Sequence, residues 1–99
     1  MYDIAIIGGG PAGLAAGLYG ARGGMDTVIL ENMLVGGQIT KTTQVDNYPG
    51  FPDGIDGFAI GTNMQKQAER FGLEIKRTGV DSVELEGEIK RLHCGREVI

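Results

Sequence analysis

The sequence predicts an α/β fold, with a parallel sheet laid down by a βαβ unit and an antiparallel β-meander after it. Three observations carry this. A short apolar run, "YDIAII", leads straight into the glycine-rich "GGGPAG" and then into a helix-forming stretch. A second apolar run, "TVILE", follows and ends on an acid. From Val80 onward, in "VDSVELEGEIKRLHCGREVI", polar and apolar residues alternate and glycines punctuate them.

The first run is continuous and bounded by glycines, the pattern of a strand buried on both faces. Residues Pro11 to Arg22 read as a helix. Pro11 suits a first-turn position, where its missing N–H costs nothing, and Ala12, Leu14, Ala15, Ala16 and Leu18 are good helix formers. Gly23 and Gly24 stop it. A strand, a helix and a second strand make a unit whose crossover is right-handed in nearly all cases. In "DGFAIGTNMQKQAERFG", Ile60, Met64, Ala68 and Phe71 recur at helical spacing, and Gly72 ends the stretch. "LEIK" reads as a third strand. The alternating tail then gives two or three short strands. Its last residues, Val98 and Ile99, look like a strand end without a partner, so the expected domain is a truncated one.

Bulk composition narrows the classes. The chain has 99 residues, 41% of them apolar and 22% charged, which allows one small domain with a modest core. Glycine, at 18 residues, is well above its usual share, yet without the three-residue period of collagen. A net charge of −4 and no basic run longer than a dipeptide make nucleic acid and anionic membrane surfaces poor partners. Cys94 is the single cysteine and His93 the single histidine, so neither a disulfide within the chain nor a complete metal site is expected. The four-residue apolar run Ile4 to Ile7 is neither a signal peptide nor a membrane span, and the cytoplasm is the expected compartment.

Gly8, Gly10 and Gly13 form G-x-G-x-x-G at the turn from the first strand into the first helix. The first glycine makes the tight turn, the second lets a pyrophosphate approach the backbone, and the third lets the helix lie close to the sheet. Gly17, one turn further along the helix, prolongs that approach. The N–H groups at the helix start and the positive end of its dipole then face the phosphates. Glu31 closes the second strand 18 residues after Gly13, where a carboxylate meets ribose hydroxyls. It would repel a 2′-phosphate, so FAD or NAD is expected here and NADP is not. No G-K-S/T follows the glycines, which excludes a Walker-type loop. Cys94 reads as a small residue on a strand face, His93 as a strand residue with nothing to pair with, and Met25, Met33 and Met64 as core or loop filler.

The stretch "GGQITKTTQVDNYPGFP", Gly36 to Pro52, is long for a connector and carries Ile39, Val45, Tyr48 and Phe51. Two readings stand. It is either a wall against a bound cofactor, with Gly36 and Gly37 allowing close approach and the Gln38 and Asn47 amides hydrogen bonding, or a self-packed surface loop.

These motifs, in this order, resemble the N-terminal FAD-binding segment of low-molecular-weight thioredoxin reductases, in the class II pyridine nucleotide-disulfide oxidoreductases. "IAIIGGGPAGLAAGLYGAR" is shared by many two-dinucleotide flavoproteins, while "GGQITKTTQVDNYPGFP" is more specific to this group. The resemblance implies a Rossmann-like FAD domain. Gly8, Gly9, Gly10, Pro11, Ala12 and Gly13 would lie at the pyrophosphate turn, and Glu31 and Asn32 at the adenosine ribose. Gly37, Gln38 and Asn47 would belong to the second glycine loop, and Val80 would pack near the adenine. It also implies that residues 1–99 are a partial domain, with the NADPH domain, the redox C-x-x-C and the closing FAD segment outside it. No catalytic residue is expected within these residues. The parent would be a homodimer that reduces thioredoxin or a related redox protein with NADPH. Two alternatives remain open at this stage. One is a ferredoxin–NADP reductase of thioredoxin-reductase type, and the other a nucleotide-binding module without turnover.

Overall fold

In the computed structural model, which describes residues 1–99, β1 (Ile4–Ile7) enters the glycine turn and α1 (Pro11–Arg22) leaves it. Then come β2 (Thr27–Leu30), a 3-10 turn (Gly37–Lys41), α2 (Gly57–Arg70) and β3 (Glu74–Lys76). The order β1-β2-β3 is parallel throughout, with Ile4 beside Thr27 and Val28 beside Glu74. Both strand crossings carry a helix, as parallel neighbours require. The meander forms a separate antiparallel sheet, β4 (Ser82–Glu84), β5 (Arg91–Cys94) and β6 (Glu97–Val98).

β2 is the spine: all four of its residues are buried, and they serve two cores. Ile29 faces a cluster with Leu14, Ala21, Val35, Ala68 and Leu73, against which Met64 and Phe71 also pack. The stripe expected of α2 is therefore its packed face. Val28 and Leu30 point the other way, to Leu92 and Cys94 of the meander, with Tyr2, Val80 and Ile99 around them.

Two expectations are corrected. β1 is not buried on both faces; Ile4 and Ile6 are half-buried while Ala5 and Ile7 are exposed. It is an edge strand of this three-stranded sheet, and only β2 has a strand on each side. Nor is the closing Val98-Ile99 partnerless. Val98 is registered with His93, and Leu92 and Ile99 exchange both backbone hydrogen bonds at 2.8 Å. The two-residue turn Gly95-Arg96, with Gly95 at φ 64°, makes the pairing.

Candidate dinucleotide site

The glycine turn lies at the carboxyl ends of parallel strands, where ligands of open α/β sheets bind. Gly8 N–H donates to Leu30 O at 2.9 Å, and Glu31 N–H to Lys76 O at 3.0 Å, so both ladders continue one residue into the site. The three motif glycines differ in kind. Gly8 has φ 102°, a conformation that side chains disfavour. A Cβ on Gly13 would lie 1.9 Å from Gly8 O, so α1 touches the turn backbone to backbone. Gly10 is different: its φ of −76° and ψ of −172° suit any residue, and a Cβ there would meet nothing nearer than Gly37 Cα at 4.0 Å. The fold imposes no glycine at this position. Gly10 caps α1 without a side-chain bond, and the N–H groups of Gly10, Ala12 and Gly13 have no partner within the chain. Three donors at a helix start make an anion cradle.

Glu31 is held by the turn it was expected to serve. Its Oε1 accepts from Gly9 N–H at 2.8 Å and its Oε2 from Met33 N–H at 2.9 Å. These bonds, from Met33 first and Gly9 second, hold the carboxyl below its usual range, against a smaller opposing effect of burial. Each oxygen keeps a lone pair for a further donor. Asn32 is exposed beside it, with its side chain against Gly79, so the segment carrying Val80 passes the same corner.

The second glycine loop is built onto the first. Gly36 N–H donates to Gly9 O at 2.7 Å, and Gly37, at φ 67°, approaches so closely that its Cβ would lie 3.0 Å from Gly10 Cα. Beside the second loop opens a cleft of about 210 Å³ lined by Glu31, Met33, Leu34, Gly37, Gln38, Thr40 and Lys41. It brings together Glu31, Gly37 and Gln38. Asn47 is not brought there; it is exposed on the arm beyond Val45, where a bridge from Val45 to Ile55 closes the loop. Val45 is buried, and the Tyr48 and Phe51 rings meet at a tilt with centres 6.2 Å apart, so the loop also packs on itself. Sequence reasoning missed Gly57 and Gly61. A Cβ on Gly57 would strike Ile39 O at 1.9 Å, and Gly61 lies against Gly36. Their four-residue spacing along one helix was the available signal. It missed Lys41 as well, which lines the cleft together with Glu31.

The family model of the pyridine nucleotide-disulphide oxidoreductases matches residues 2–98. The chain belongs to this family. Curated relatives include thioredoxin reductases from Peptoclostridium litorale, 50% identical over 92 residues (93% of this chain and 29% of that protein), and from Mycolicibacterium smegmatis, 41% identical over 97 (98% and 31%). Among solved structures, the thioredoxin reductase of Lactococcus lactis in its FR conformation superposes with a TM-score of 0.94 at 35% identity, covering 100% of this chain and 32% of that one. The chain thus spans about 30% of the length of the curated relatives named here.

In this member of the pyridine nucleotide-disulphide oxidoreductases, Cys94 is buried in the second core, 5% exposed, as expected of a strand-face residue. His93 does find a partner. Its Nε2 pairs with Glu84 Oε2 across β4 and β5, because residues diagonal in an antiparallel register share a face. Met64 packs against the core, while Met25 and Met33 are exposed. A larger hollow of about 380 Å³, lined by Ala5, Ile7, Val83, Leu85 and others, is mostly apolar and lacks the convergent donors of the glycine turn. No helix is long and apolar enough to cross a membrane.

Proposed function

We propose that residues 1–99 are the first part of the FAD-binding domain of a thioredoxin reductase-like flavoenzyme. The observation that carries this is Gly10. A glycine that neither φ nor packing demands, set beside three free N–H groups, leaves room and donors for a diphosphate. The residues therefore fit FAD. Gly10, Ala12 and Gly13 would donate to its pyrophosphate, and Glu31 and Asn32 would accept from or donate to the adenosine ribose. Gly37 and Gln38 would border the cofactor chain along the cleft, Asn47 would reach its flavin side, and Val80 would pack near the adenine. When bound, FAD supplies two-electron transfer, here between NADPH and a protein disulfide, and this segment supplies binding and orientation. Thioredoxin as the acceptor follows the names of the relatives. The NADPH site and the dithiol belong to a longer protein, which we place in the cytoplasm as a homodimer.

Calorimetric titration of FAD and of ADP into wild type and Gly10→Val tests the reading. The extended backbone at Gly10 suits Val and its Cβ would meet nothing nearer than 4.0 Å, so unfolding temperature should hold while binding of both ligands is lost. Equal affinities in the two proteins would overturn it.

A further inference from the structure

Two glycine loops, far apart in sequence, meet through one carboxylate. Glu31 Oε1 fixes Gly9 N–H, and Gly9 O in turn fixes Gly36 N–H at 2.7 Å. Gly36 leads into Gly37, whose backbone abuts Gly10. Glu31 Oε2 fixes Met33 N–H at the start of the same loop. Gly9 is thus held through both its N–H and its C=O, and the peptide to which that C=O belongs carries the unpartnered Gly10 N–H.

We propose that Glu31 is a positioning residue for the phosphate cradle, acting through Gly9, in addition to any contact with ribose. This rests on the reading of the glycine turn as a diphosphate site. With Gly9 N–H committed to the carboxylate, the cradle consists of the Gly10, Ala12 and Gly13 donors, and Glu31 sets their aim. Replacing the carboxylate with an amide leaves one acceptor for two N–H groups and turns an NH2 toward the other, so one anchor is lost. Lys41 is the other charged residue lining the cleft with Glu31; Asn32, beside Glu31 and against Gly79, is uncharged.

The sign of one measurement separates this from a ribose contact alone. Inorganic pyrophosphate has no ribose. If Glu31 only met ribose, Glu31→Gln would remove a negative charge near the anion and tighten pyrophosphate binding or leave it unchanged. If Glu31 aims the cradle, Glu31→Gln weakens pyrophosphate by about fivefold to tenfold, as loss of a charge-assisted hydrogen bond implies. The binding is followed in the full chain by the amide signals of Gly10, Ala12 and Gly13 in nuclear magnetic resonance spectra. Unchanged or tighter binding overturns the proposal. A second measurement needs no variant. On acidification of wild type, the Gly9 and Met33 amide signals should move together with one midpoint, below the ordinary glutamate value of 4.5, and pyrophosphate affinity should fall with them. Separate midpoints, or amides that do not respond, overturn it equally. If Gly10→Val abolishes ADP binding while Glu31→Gln spares pyrophosphate, the diphosphate site stands and the positioning role falls.

Discussion

The parallel lobe and the meander differ in what holds them. In the lobe, Leu14, Ile29 and Ile60 are each at most 1% exposed, and α1 and α2 close over the sheet. In the meander, every residue from Asp81 to Arg91 is exposed, and only Leu92 and Cys94 are buried. The glycine turn, Glu31 and the cleft all belong to the lobe. The binding geometry is therefore set where packing is dense, while the meander is attached through an apolar cluster on the far face of β2 and a partly exposed Lys76–Glu97 ion pair at 2.8 Å. Perturbing each region should give separable effects on stability and on ligand affinity.

The largest effect is expected at Gly13. Alanine there forces a methyl into Gly8 O, and overpacking against backbone should cost about 3 kcal/mol or more. Denaturant unfolding would measure it, and ADP affinity should fall along with stability. Leu92→Ala should cost somewhat less, about 2–3 kcal/mol, by opening a cavity under the meander. Here the comparison is sharpest, because calorimetry should find ADP affinity in the folded fraction unchanged; a large loss would show that the meander shapes the site. Glu31→Ala should narrow the preference for ADP over 2′-phospho-ADP by about 1–2 kcal/mol, about fivefold to thirtyfold, as read by paired titrations. Folding should feel the same carboxylate through pH. Its folded value is depressed, so its contribution is complete above the ordinary value and is lost as pH falls through the folded one. The smallest effect is expected at Glu84→Gln. That side chain and His93 are both well exposed, and thermal unfolding should change by no more than about 0.5 kcal/mol.

The strands and helices were legible because each has a periodic pattern and a glycine or proline at its boundary. Pro11 and Gly23 bracket α1 as expected, and Ile60 is buried while Met64 and Ala68 pack into the core, as their spacing implies. Within residues 1–99 β1 lies at the sheet edge, and a continuous apolar run looks the same in a central strand and an edge strand, since neighbours decide and are nonlocal. The acid and the glycine triplet were readable from spacing. That Glu31 grips Gly9 was not, since the bond joins residues 22 apart whose approach depends on β1 pairing with β2. The His93–Glu84 pair was hidden for a similar reason, because only the hairpin register puts them on one face. Gly57 and Gly61 gave a helical spacing that was drowned by the apolar stripe beside it.

Those two glycines have a mechanical meaning. Gly57 N–H donates to Thr42 O at 3.0 Å, and Gly61 lies against Gly36 with the Thr40 methyl packed beside both. Contacts made of bare backbone have almost no slack, since there are no rotamers to absorb a displacement. The loop at Gly36–Thr42 is thus held against a fourteen-residue rod whose other end carries Arg70 on the surface, its guanidinium over the half-buried Phe71 ring. A force or a partner applied to that distant end would reach the cleft as a rigid displacement, with α2 acting as its lever arm.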